Sequence, residues 1–388
     1  MNSIPYGRQK IDYQDLKFIK KSIFQELITG GNYVQLFEKE IQSYLNTKYA
    51  YTCSSGTAAL HLAFLSINLK KGDNIIMPAI NFVAAYNMAK LVGANVFLSD
   101  VDPISGQMTP DNLIKCIKKN KIKKVKAFLT MYLGGNPENI PIFYNLKKKF
   151  KCLFIEDACH ALGSEYYLNK KFFKVGCARH SDISTFSLHP LKTITSGEGG
   201  IVTTNVKSIA EKISIFRSHG LIKNKKYYWK TSINVPGFNY RLSDINCAMG
   251  LSQLKKIKYF LKKRNFIAKY YIKNLNKYAN FFAIPSRNIK NKSAWHLFLI
   301  NIDFSKLKKK KDFFINYLNK NKILPQFHYV PIYRLGMKNV FNKKDFVGCE
   351  SYYNSALSLP IFVDLNIIQQ NFIISKLVNF INKYKLKN

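Results

Sequence analysis

Residues Phe186 to Gly200 read FSLHPLKTITSGEGG, a segment in which one lysine, Lys192, stands among small and hydroxyl-bearing residues. The apolar, β-branched run that starts at Ile183 leads into this segment. Upstream, a second strand-like apolar run ends at Asp157. A lysine just past one strand end and a carboxylate at another are the pair that pyridoxal phosphate chemistry needs. The lysine forms an imine with the cofactor, and the acid holds the pyridinium nitrogen.

Each residue of this pair also fits a simpler interpretation. In a chain rich in lysine, Lys192 is typical of a solvated loop. Asp157 is typical of a helix N-cap, because residues 158–162 can begin a helix. The flexible flanks of Lys192 and the buried strand that precedes Asp157 favour the cofactor interpretation, since backbone approaches a ligand closely at such flanks.

Four motifs extend this interpretation over most of the chain. They are EDxxHALGS (Glu156–Ser164), FSxHPxKxITxGEGG (Phe186–Gly200), RSHG (Arg217–Gly220) and GFNYRLSDI (Gly237–Ile245). In this order the motifs resemble the sugar aminotransferases of the DegT/DnrJ/EryC1/StrS family, a branch of fold-type I pyridoxal phosphate enzymes. The resemblance implies transamination, because relatives that dehydrate deoxysugars have histidine in place of Lys192. It also implies a homodimer with shared active sites.

The order of predicted elements agrees with an α/β fold. Strands alternate with helices over residues 74–204, which indicates a mainly parallel sheet with helices on both faces. Ligands of such sheets bind beyond strand ends, where Asp157 falls. The resemblance implies a fold-type I transferase with a large domain, residues 12–255, and a smaller C-terminal α/β domain, residues 256–388 with 1–11. We also predict an amphipathic helix over Asp12–Leu27 and a strand over Ile323–Tyr329.

Length and composition set wider limits. At 388 residues with 47% hydrophobic content, the chain suggests two domains with a large buried core. The apolar runs are too short for a transmembrane helix, and the N-terminus lacks the apolar stretch of a signal peptide. Seven scattered cysteines without a CxxC motif indicate reduced thiols in the cytoplasm. We expect no metal site.

The net charge of +39 raises a different hypothesis, a basic nucleic-acid-binding or regulatory protein. Lysine far outnumbers arginine, however, and Asn, Ile, Tyr and Phe are also abundant, which is typical of an AT-rich genome. Proteins that read nucleic-acid sequence rely on arginine. A basic surface would equally attract a nucleotide diphosphate substrate.

The resemblance assigns cofactor contacts to named residues. The cofactor phosphate is expected at the start of a helix on Gly56 and Thr57, where free N–H groups favour an anion, with the Ser187 hydroxyl completing the site. Phe82 is expected to stack on the pyridine ring. His160 replaces a glutamine that touches the phenolic oxygen of the cofactor in many relatives.

An asparagine that the family brings from the partner subunit matches Asn239. Simpler interpretations remain open for each contact. Gly56 and Thr57 fit plain helix capping, Phe82 fits a core residue, and His160 fits a helix face. Asn239 fits a turn.

The substrate contacts expected from the resemblance are Tyr6, Thr29, His328 and Tyr329. Thr29 also fits a helix C-cap turn, and His328 and Tyr329 also fit an edge strand. The segment HYxPIY that begins at His328 resembles the transaminases of pseudaminic acid biosynthesis, which aminate a UDP-linked 4-keto-6-deoxy sugar. The resemblance therefore implies glutamate as amino donor and UDP-4-amino-4,6-dideoxy-N-acetyl-beta-L-altrosamine as product. A D-configured UDP-4-keto sugar or a GDP-4-keto sugar is the alternative substrate.

Overall fold

The computed structural model describes residues 3–224, 226–227, 229–233, 235–336 and 341–386. The strands are β1 (Ile4–Pro5), β2 (Tyr49–Cys53), β3 (Asn74–Pro78), β4 (Asn95–Ser99), β5 (Ala127–Met131), β6 (Leu153–Asp157), β7 (Glu165–Leu168), β8 (Lys171–Lys174), β9 (Ile183–Ser187), β10 (Gly200–Thr204), β11 (Leu221–Lys223), β12 (Thr231–Ile233), β13 (Phe282–Ala283), β14 (Phe298–Ile302), β15 (Ile323–Leu324) and β16 (Ala356–Leu359). The α-helices are α1 (Tyr13–Ile23), α2 (Asn32–Leu45), α3 (Gly56–Ser66), α4 (Ala84–Leu91), α5 (Pro110–Lys119), α6 (Ile140–Phe150), α7 (Lys207–Arg217), α8 (Asp244–Lys255), α9 (Ile257–Leu275), α10 (Lys311–Lys320), α11 (Val347–Ser355) and α12 (Ile367–Tyr384).

A seven-stranded sheet forms the centre of the protein, with strand order β2-β10-β9-β6-β5-β3-β4. From β9 to β4 every neighbouring pair is parallel. β10 is antiparallel to both of its neighbours. The mainly parallel sheet expected from the alternation of strands and helices is confirmed.

Helices cover both faces of this sheet. Along β3, Ile75 and Met77 belong to one buried cluster and Ile76 to the other. The first cluster includes residues of α3, α4 and α7, and the second includes residues of α2, α5, α6 and α8. Because side chains alternate along a strand, a strand with apolar residues in both clusters must lie between two helical layers.

The C-terminal part of the chain has a core of its own. The antiparallel strands β13, β14 and β16 form a three-stranded sheet, against which residues of α9, α10 and α12 pack. The N-terminal strand β1 pairs in parallel with β15, and Ile4 belongs to this third core. The predicted domain boundary, between residues 255 and 256, falls where α8 ends and α9 follows. The division into two domains stays a prediction.

Helix α1 differs from its prediction in length and in the face that it buries. It ends at Ile23 rather than Leu27, and Leu16, Ile23 and Leu27 are 56%, 51% and 55% exposed. The buried side is polar: Asp15 is 0% exposed, and its Oδ2 lies 2.7 Å from Nζ of Lys256. The apolar side of α1 is therefore uncovered in the single chain.

The predicted strand over Ile323–Tyr329 is wrong beyond Leu324. Gln326 forms one isolated bridge with Ser358, and the backbone is irregular from there to residue 331. The cause is visible in the hydrogen bonds, since the carbonyl of His328 accepts from the Tyr352 hydroxyl rather than from a neighbouring strand. A strand needs backbone partners along its length.

All seven cysteines are free thiols, as predicted. Among the residues described, no helix combines the length and the apolar character needed to cross a membrane.

Candidate active site

The ends of several strands bring the predicted site residues together at one edge of the central sheet. Asp157 is the last residue of β6 and Ser187 the last residue of β9, and these strands are parallel neighbours. α3 begins at Gly56, directly after β2. Because parallel strands end at the same sheet edge, residues distant in the chain meet there.

A pocket of about 510 Å³ opens at this edge. It is lined by most of the residues that the sequence predicted for the site: Tyr6, Gly56, Thr57, Phe82, Asp157, His160, Ser187, Lys192, His328 and Tyr329. Thr29 and Asn239 do not line it. The structure therefore groups ten of the predicted residues and leaves two elsewhere.

Lys192 projects from a loop that folds back on itself after β9. The Thr195 hydroxyl donates to the carbonyl of Leu188 at 2.9 Å, which closes the loop around the lysine. Burial lowers the pKa of Lys192, while Cys159 and Asp157 act in the opposite direction. Lys192 keeps some accessible surface because it borders the pocket. These surroundings are not those of a solvated loop lysine, so that alternative is wrong.

Asp157 is buried at the base of the pocket. Its Oδ1 accepts a hydrogen bond from the backbone N–H of Cys159 at 3.2 Å. Burial raises the pKa of Asp157, and the hydrogen bonds from Cys159 together with the charge of Lys192 oppose this rise. No helix follows, since residues 158–164 form turns. The alternatives that made Asp157 a helix cap and His160 a helix-face residue are therefore wrong.

The start of α3, which also lines the pocket, has the features of an anion site. The Ser55 hydroxyl caps the helix by accepting from Ala58 N at 3.0 Å. The N–H groups of Gly56 and Thr57 have no acceptor among the described residues. Unpaired N–H groups at the positive end of a helix dipole favour a phosphate.

The anion site depends on a close approach of two backbones. A Cβ added at Gly56 would lie 2.9 Å from Cβ of Ser187, so a side chain there would collide with the second phosphate-binding candidate. Gly200 is similarly constrained, because its Cβ would lie 2.2 Å from the carbonyl oxygen of Ser55. Glycine at 56 and 200 thus lets β9, β10 and α3 meet at the pocket.

The aromatic residues of the site do not belong to the core. Phe82 is 53% exposed and its ring lies 5.8 Å from that of Tyr329, so the alternative that made Phe82 a core residue is wrong. His328 and Tyr329 lie outside any strand and border the pocket. The edge-strand alternative for these two residues is therefore also wrong.

His160 is buried and holds Tyr329 by a hydrogen bond. The Nε2 atom of His160 lies 3.0 Å from the Tyr329 hydroxyl. Burial lowers the pKa of His160 well below its usual value, and Lys192 with two further histidines acts in the same direction. The imidazole is therefore neutral at neutral pH.

Sequence reasoning missed His296, which also lines the pocket. Its ring lies 4.2 Å from that of His160, and burial lowers its pKa well below the usual value. The buried Nδ1 atom has no hydrogen-bond partner among the described residues. The signal was present as a histidine directly before an apolar strand, but the pattern alone reads as a strand residue. Cys159 and Ser55, which also line the pocket, were missed for a different reason, since each stands close to a stronger candidate in the sequence.

Thr29 and Asn239 are exposed, and their backbones are fixed by single bridges, Thr29 to Ser243 and Asn239 to Ser218. The RSHG and GFNYR motifs are linked at this point. Phe238 N donates to the carbonyl of Phe216 at 2.8 Å, next to the bridge between Asn239 and Ser218. The pairing fixes the backbone at Asn239, whose side chain is exposed and does not line the pocket of its own chain.

These features fit pyridoxal phosphate. The pocket offers an amine, a buried carboxylate, unpaired N–H donors for a phosphate and an exposed aromatic ring. In the part of the chain that the structure describes, no group of three or more metal-binding side chains is found.

Comparisons with known proteins agree with this geometry. The model of the DegT/DnrJ/EryC1/StrS aminotransferase family matches residues 9–378. The chain is 34% identical over 383 residues to the UDP-4-amino-4,6-dideoxy-N-acetyl-beta-L-altrosamine transaminase of Campylobacter jejuni subsp. jejuni, with 98% of each chain covered. It is 31% identical over 392 residues to the transaminase of the same name from Helicobacter pylori, with 100% of each chain covered.

A solved structure is similar over almost the whole chain. It is described as Helicobacter pylori PseC, an aminotransferase involved in the biosynthesis of pseudoaminic acid. The TM-score is 0.88 at 30% sequence identity, and the alignment covers 98% of this chain and 100% of that one. The likeness therefore extends to both the central sheet and the C-terminal part.

Proposed function

Since the chain belongs to the DegT/DnrJ/EryC1/StrS aminotransferase family, we propose that it transfers an amino group from glutamate to a UDP-linked 4-keto-6-deoxy sugar. The proposed product is UDP-4-amino-4,6-dideoxy-N-acetyl-beta-L-altrosamine, for pseudaminic acid synthesis. The observation that carries this proposal is the presence of Lys192 and Asp157 in one pocket beside the unpaired start of α3.

The names of the similar proteins support this choice of sugar. Two relatives with 34% and 31% identity are both named for the altrosamine product. A D-configured UDP-4-keto sugar or a GDP-4-keto sugar remains the alternative, because the same amine and carboxylate serve any keto sugar of this kind. The family match favours an enzyme over the nucleic-acid-binding protein that the net charge suggested.

Several residues would hold the cofactor. When bound, pyridoxal phosphate supplies an electron-accepting ring that stabilises the negative charge left when a C–H bond beside nitrogen ionises. The N–H groups of Gly56 and Thr57 with the Ser187 hydroxyl would bind the phosphate. Phe82 would cover a face of the ring, and Asp157 would accept from the ring nitrogen.

The carboxylate of Asp157 is suited to a cationic N–H group. Because burial raises its pKa, the bare carboxylate is costly and gains more than an exposed one from a positive partner. A protonated ring nitrogen would satisfy this requirement, and the carboxylate would favour the protonated form of that nitrogen in return.

Lys192 would carry the proton transfers. Burial lowers the pKa of its amine, so a larger fraction is neutral at neutral pH, as a general base requires. Its Nζ would move a proton from the donor carbon that bears nitrogen to the cofactor carbon that takes up the amino group. In the second half of the reaction Nζ would remove a proton from that cofactor carbon and deliver it to the sugar carbon that receives nitrogen.

We also propose that two copies of the chain share their sites. The apolar side of α1, with Leu16 and Ile23 more than half exposed, is a surface that a monomer does not explain. Asn239 is exposed and fixed by its backbone pairing, as a residue offered to a neighbour would be. A second copy of the chain would cover the apolar side of α1 and would receive Asn239 in its own site.

The dimer is tested by light scattering on the purified protein. Leu16→Glu places a charge on the apolar side of α1 and is expected to shift the mass to that of a monomer and to lower activity. Gln14→Glu, at an exposed position of the same helix, serves as the control. A wild-type monomer that is fully active would contradict the shared site.

The reaction is tested as two separate halves, because an amino group that is stored on the enzyme gives ping-pong kinetics. Protein loaded with pyridoxal phosphate is mixed with glutamate alone, and after removal of the donor it is mixed with one UDP- or GDP-4-keto sugar. We expect the visible band of the cofactor to disappear in the first step and to return in the second with the UDP-4-keto sugar whose amination gives the L-altrosamine product. If the band returns only with another sugar, that sugar replaces the proposed substrate. If the protein does not bind pyridoxal phosphate, the proposed function is refuted.

A further inference from the structure

The ring of His160 is held from two sides. The backbone N–H of Gly134 donates to its Nδ1 at 3.4 Å, and its Nε2 lies 3.0 Å from the hydroxyl oxygen of Tyr329. The side chain is 1% exposed, so water does not replace either partner. Both ring nitrogens are therefore engaged by the protein.

These contacts select one tautomer of the imidazole. His160 is neutral, because burial and the positive charge of Lys192 lower its pKa. A neutral imidazole has one bare nitrogen and one N–H group. Since Nδ1 accepts from Gly134, the proton must be on Nε2, and Nε2–H must donate to Tyr329.

The tautomer decides where the hydrogen of Tyr329 can point. Burial raises the pKa of the phenol well above its usual value, so the hydroxyl stays protonated. Its oxygen already accepts from His160, and His160 offers no acceptor in return. The Tyr329 hydroxyl has no second partner among the described residues, although the side chain borders the pocket. Tyr329 is half-buried and borders the pocket, so a ligand oxygen bound there can accept the hydrogen that no described residue accepts.

We propose that the Tyr329 hydroxyl donates a hydrogen bond to an oxygen of the bound ligand, and that His160 is a positioning residue that acts through Tyr329. The inference deepens the proposed function and rests on it. The acceptor is either the phenolic oxygen of the cofactor or a keto or hydroxyl oxygen of the sugar. This assignment differs from the expectation that His160 itself touches the cofactor.

The tautomer can be measured without cofactor. Protein labelled with ¹⁵N-histidine contains seven histidines, and the spectrum of His160→Gln identifies the signals of His160. We expect a protonated Nε2 and a bare Nδ1 in the wild type and in Tyr329→Phe, because the Gly134 N–H remains. A protonated Nδ1 would overturn the inference.

The acceptor is identified with Tyr329→Phe in the loaded enzyme. If the cofactor oxygen is the acceptor, the pH midpoint of the visible band shifts while the KM for the sugar is unchanged. If the sugar is the acceptor, its KM rises about three- to tenfold, the effect of one lost hydrogen bond, and the band is unchanged. If neither the pH midpoint of the band nor the KM for the sugar changes in Tyr329→Phe, the inference is overturned.

Two further variants separate positioning from general damage. His160→Leu removes the donor and should reproduce the effect of Tyr329→Phe, whereas His160→Gln retains an N–H donor and should recover most of the loss. Tyr333→Phe removes a phenol that donates to Glu350 at 2.7 Å, outside the pocket, and should leave both readouts unchanged. If wild-type protein binds no cofactor, the proposed function fails, whereas the tautomer measurement still decides the role of His160.

Discussion

The two walls of the pocket are built from different structure and carry different charge. The sheet wall, with Asp157, Ser187 and Lys192, stands at the ends of β6 and β9. The C-terminal wall, with His328 and Tyr329, comes from an irregular segment after β15. The sheet wall contains an acid and a base in contact with the same space, whereas the C-terminal wall presents neutral groups.

Burial explains why the C-terminal wall is neutral. It lowers the pKa of His328 to about 3 and raises the pKa of Tyr329, so neither group is charged at neutral pH. Neutral donors and acceptors orient a ligand without competing with the charges of Lys192 and Asp157. We infer that the sheet wall performs the chemistry and that the C-terminal wall positions the substrate.

The largest effect is expected at Lys192. Lys192→Ala removes the amine that transfers protons, and multiple-turnover transamination should fall by about a thousandfold or more. Lys192→Arg keeps a positive charge and should be equally inactive, because arginine does not release its proton at neutral pH. If either variant keeps multiple-turnover transamination, the inference that the sheet wall performs the chemistry is contradicted.

The next effect is expected at Asp157. Asp157→Asn keeps the shape but removes the negative charge that holds a protonated ring nitrogen, and kcat should fall about a hundredfold. Asp364→Asn makes the same change at a partly exposed carboxylate that pairs with Lys10 at 3.0 Å. It should have nearly normal kcat. Equal losses in the two variants would contradict a special role for Asp157.

A smaller effect is expected at Gly56. Gly56→Ala places a Cβ 2.9 Å from Cβ of Ser187, so one of the two backbones must shift. The dissociation constant for pyridoxal phosphate should rise about tenfold, as for one lost hydrogen bond to a charged group. Gly7→Ala is the control, since its Cβ would meet only ordinary contacts at 3.7 Å. If Gly56→Ala binds pyridoxal phosphate with unchanged affinity, the assignment of the phosphate to the start of α3 is contradicted.

On the C-terminal wall, Ser358→Ala should have a modest effect. It removes the hydroxyl that lies 2.8 Å from Nδ1 of His328 and is 0% exposed. The free energy of unfolding should fall by about 1–2 kcal/mol, and the KM for the sugar should rise a few-fold with little change in kcat. A fall in kcat as large as that of Asp157→Asn would show that the two walls do not divide the work.

The smallest effect on activity is expected at Lys311, which lies 3.8 Å from the ring centroid of Phe327 behind the C-terminal wall. Burial lowers the pKa of Lys311 to about 7. Between about pH 7 and pH 10 the unfolded chain therefore binds a proton that the folded chain does not, and this residue makes stability rise with pH. Lys311→Met should remove up to about 1.4 kcal/mol per pH unit of that slope in urea unfolding, whereas Lys308→Met should not.

The two walls also differ in how well the sequence predicts them. The sheet wall follows from local patterns, because apolar runs of strand length end at Asp157 and Ser187 and parallel strands end together. The motifs that resemble the family add the start of α3 and Phe82. What the sequence did not specify is the environment, such as the loss of accessible surface that lowers the pKa of Lys192.

The C-terminal wall could not be predicted in the same way. The segment Ile323–Tyr329 has the composition of a strand, but the strand ends before Pro325, which has no N–H group, and the carbonyl of His328 accepts from the distant Tyr352 hydroxyl. His296 was read as a strand residue because nothing local indicates that it meets His160. Contacts between distant segments decide both cases.

Two elements outside the pocket give the same lesson. The hairpin of β7 and β8 was missed because its turn uses Asn169 and Lys170, both with positive φ, without the glycine that usually marks such a turn. The apolar stripe of α1 predicted the helix, but its periodicity did not reveal that the stripe is left uncovered. The sequence predicts local form better than the partner of each face.

The most direct test of the account is to find the lysine that binds the cofactor. Wild-type protein is loaded with pyridoxal phosphate, reduced with borohydride to fix the imine, digested and mapped by mass spectrometry. We expect one pyridoxyl group per chain, on Lys192, and none at this position when glutamate is added before reduction. A label spread over exposed lysines, or held by another single lysine, would contradict the assignment of Lys192 and with it the division of work between the two walls.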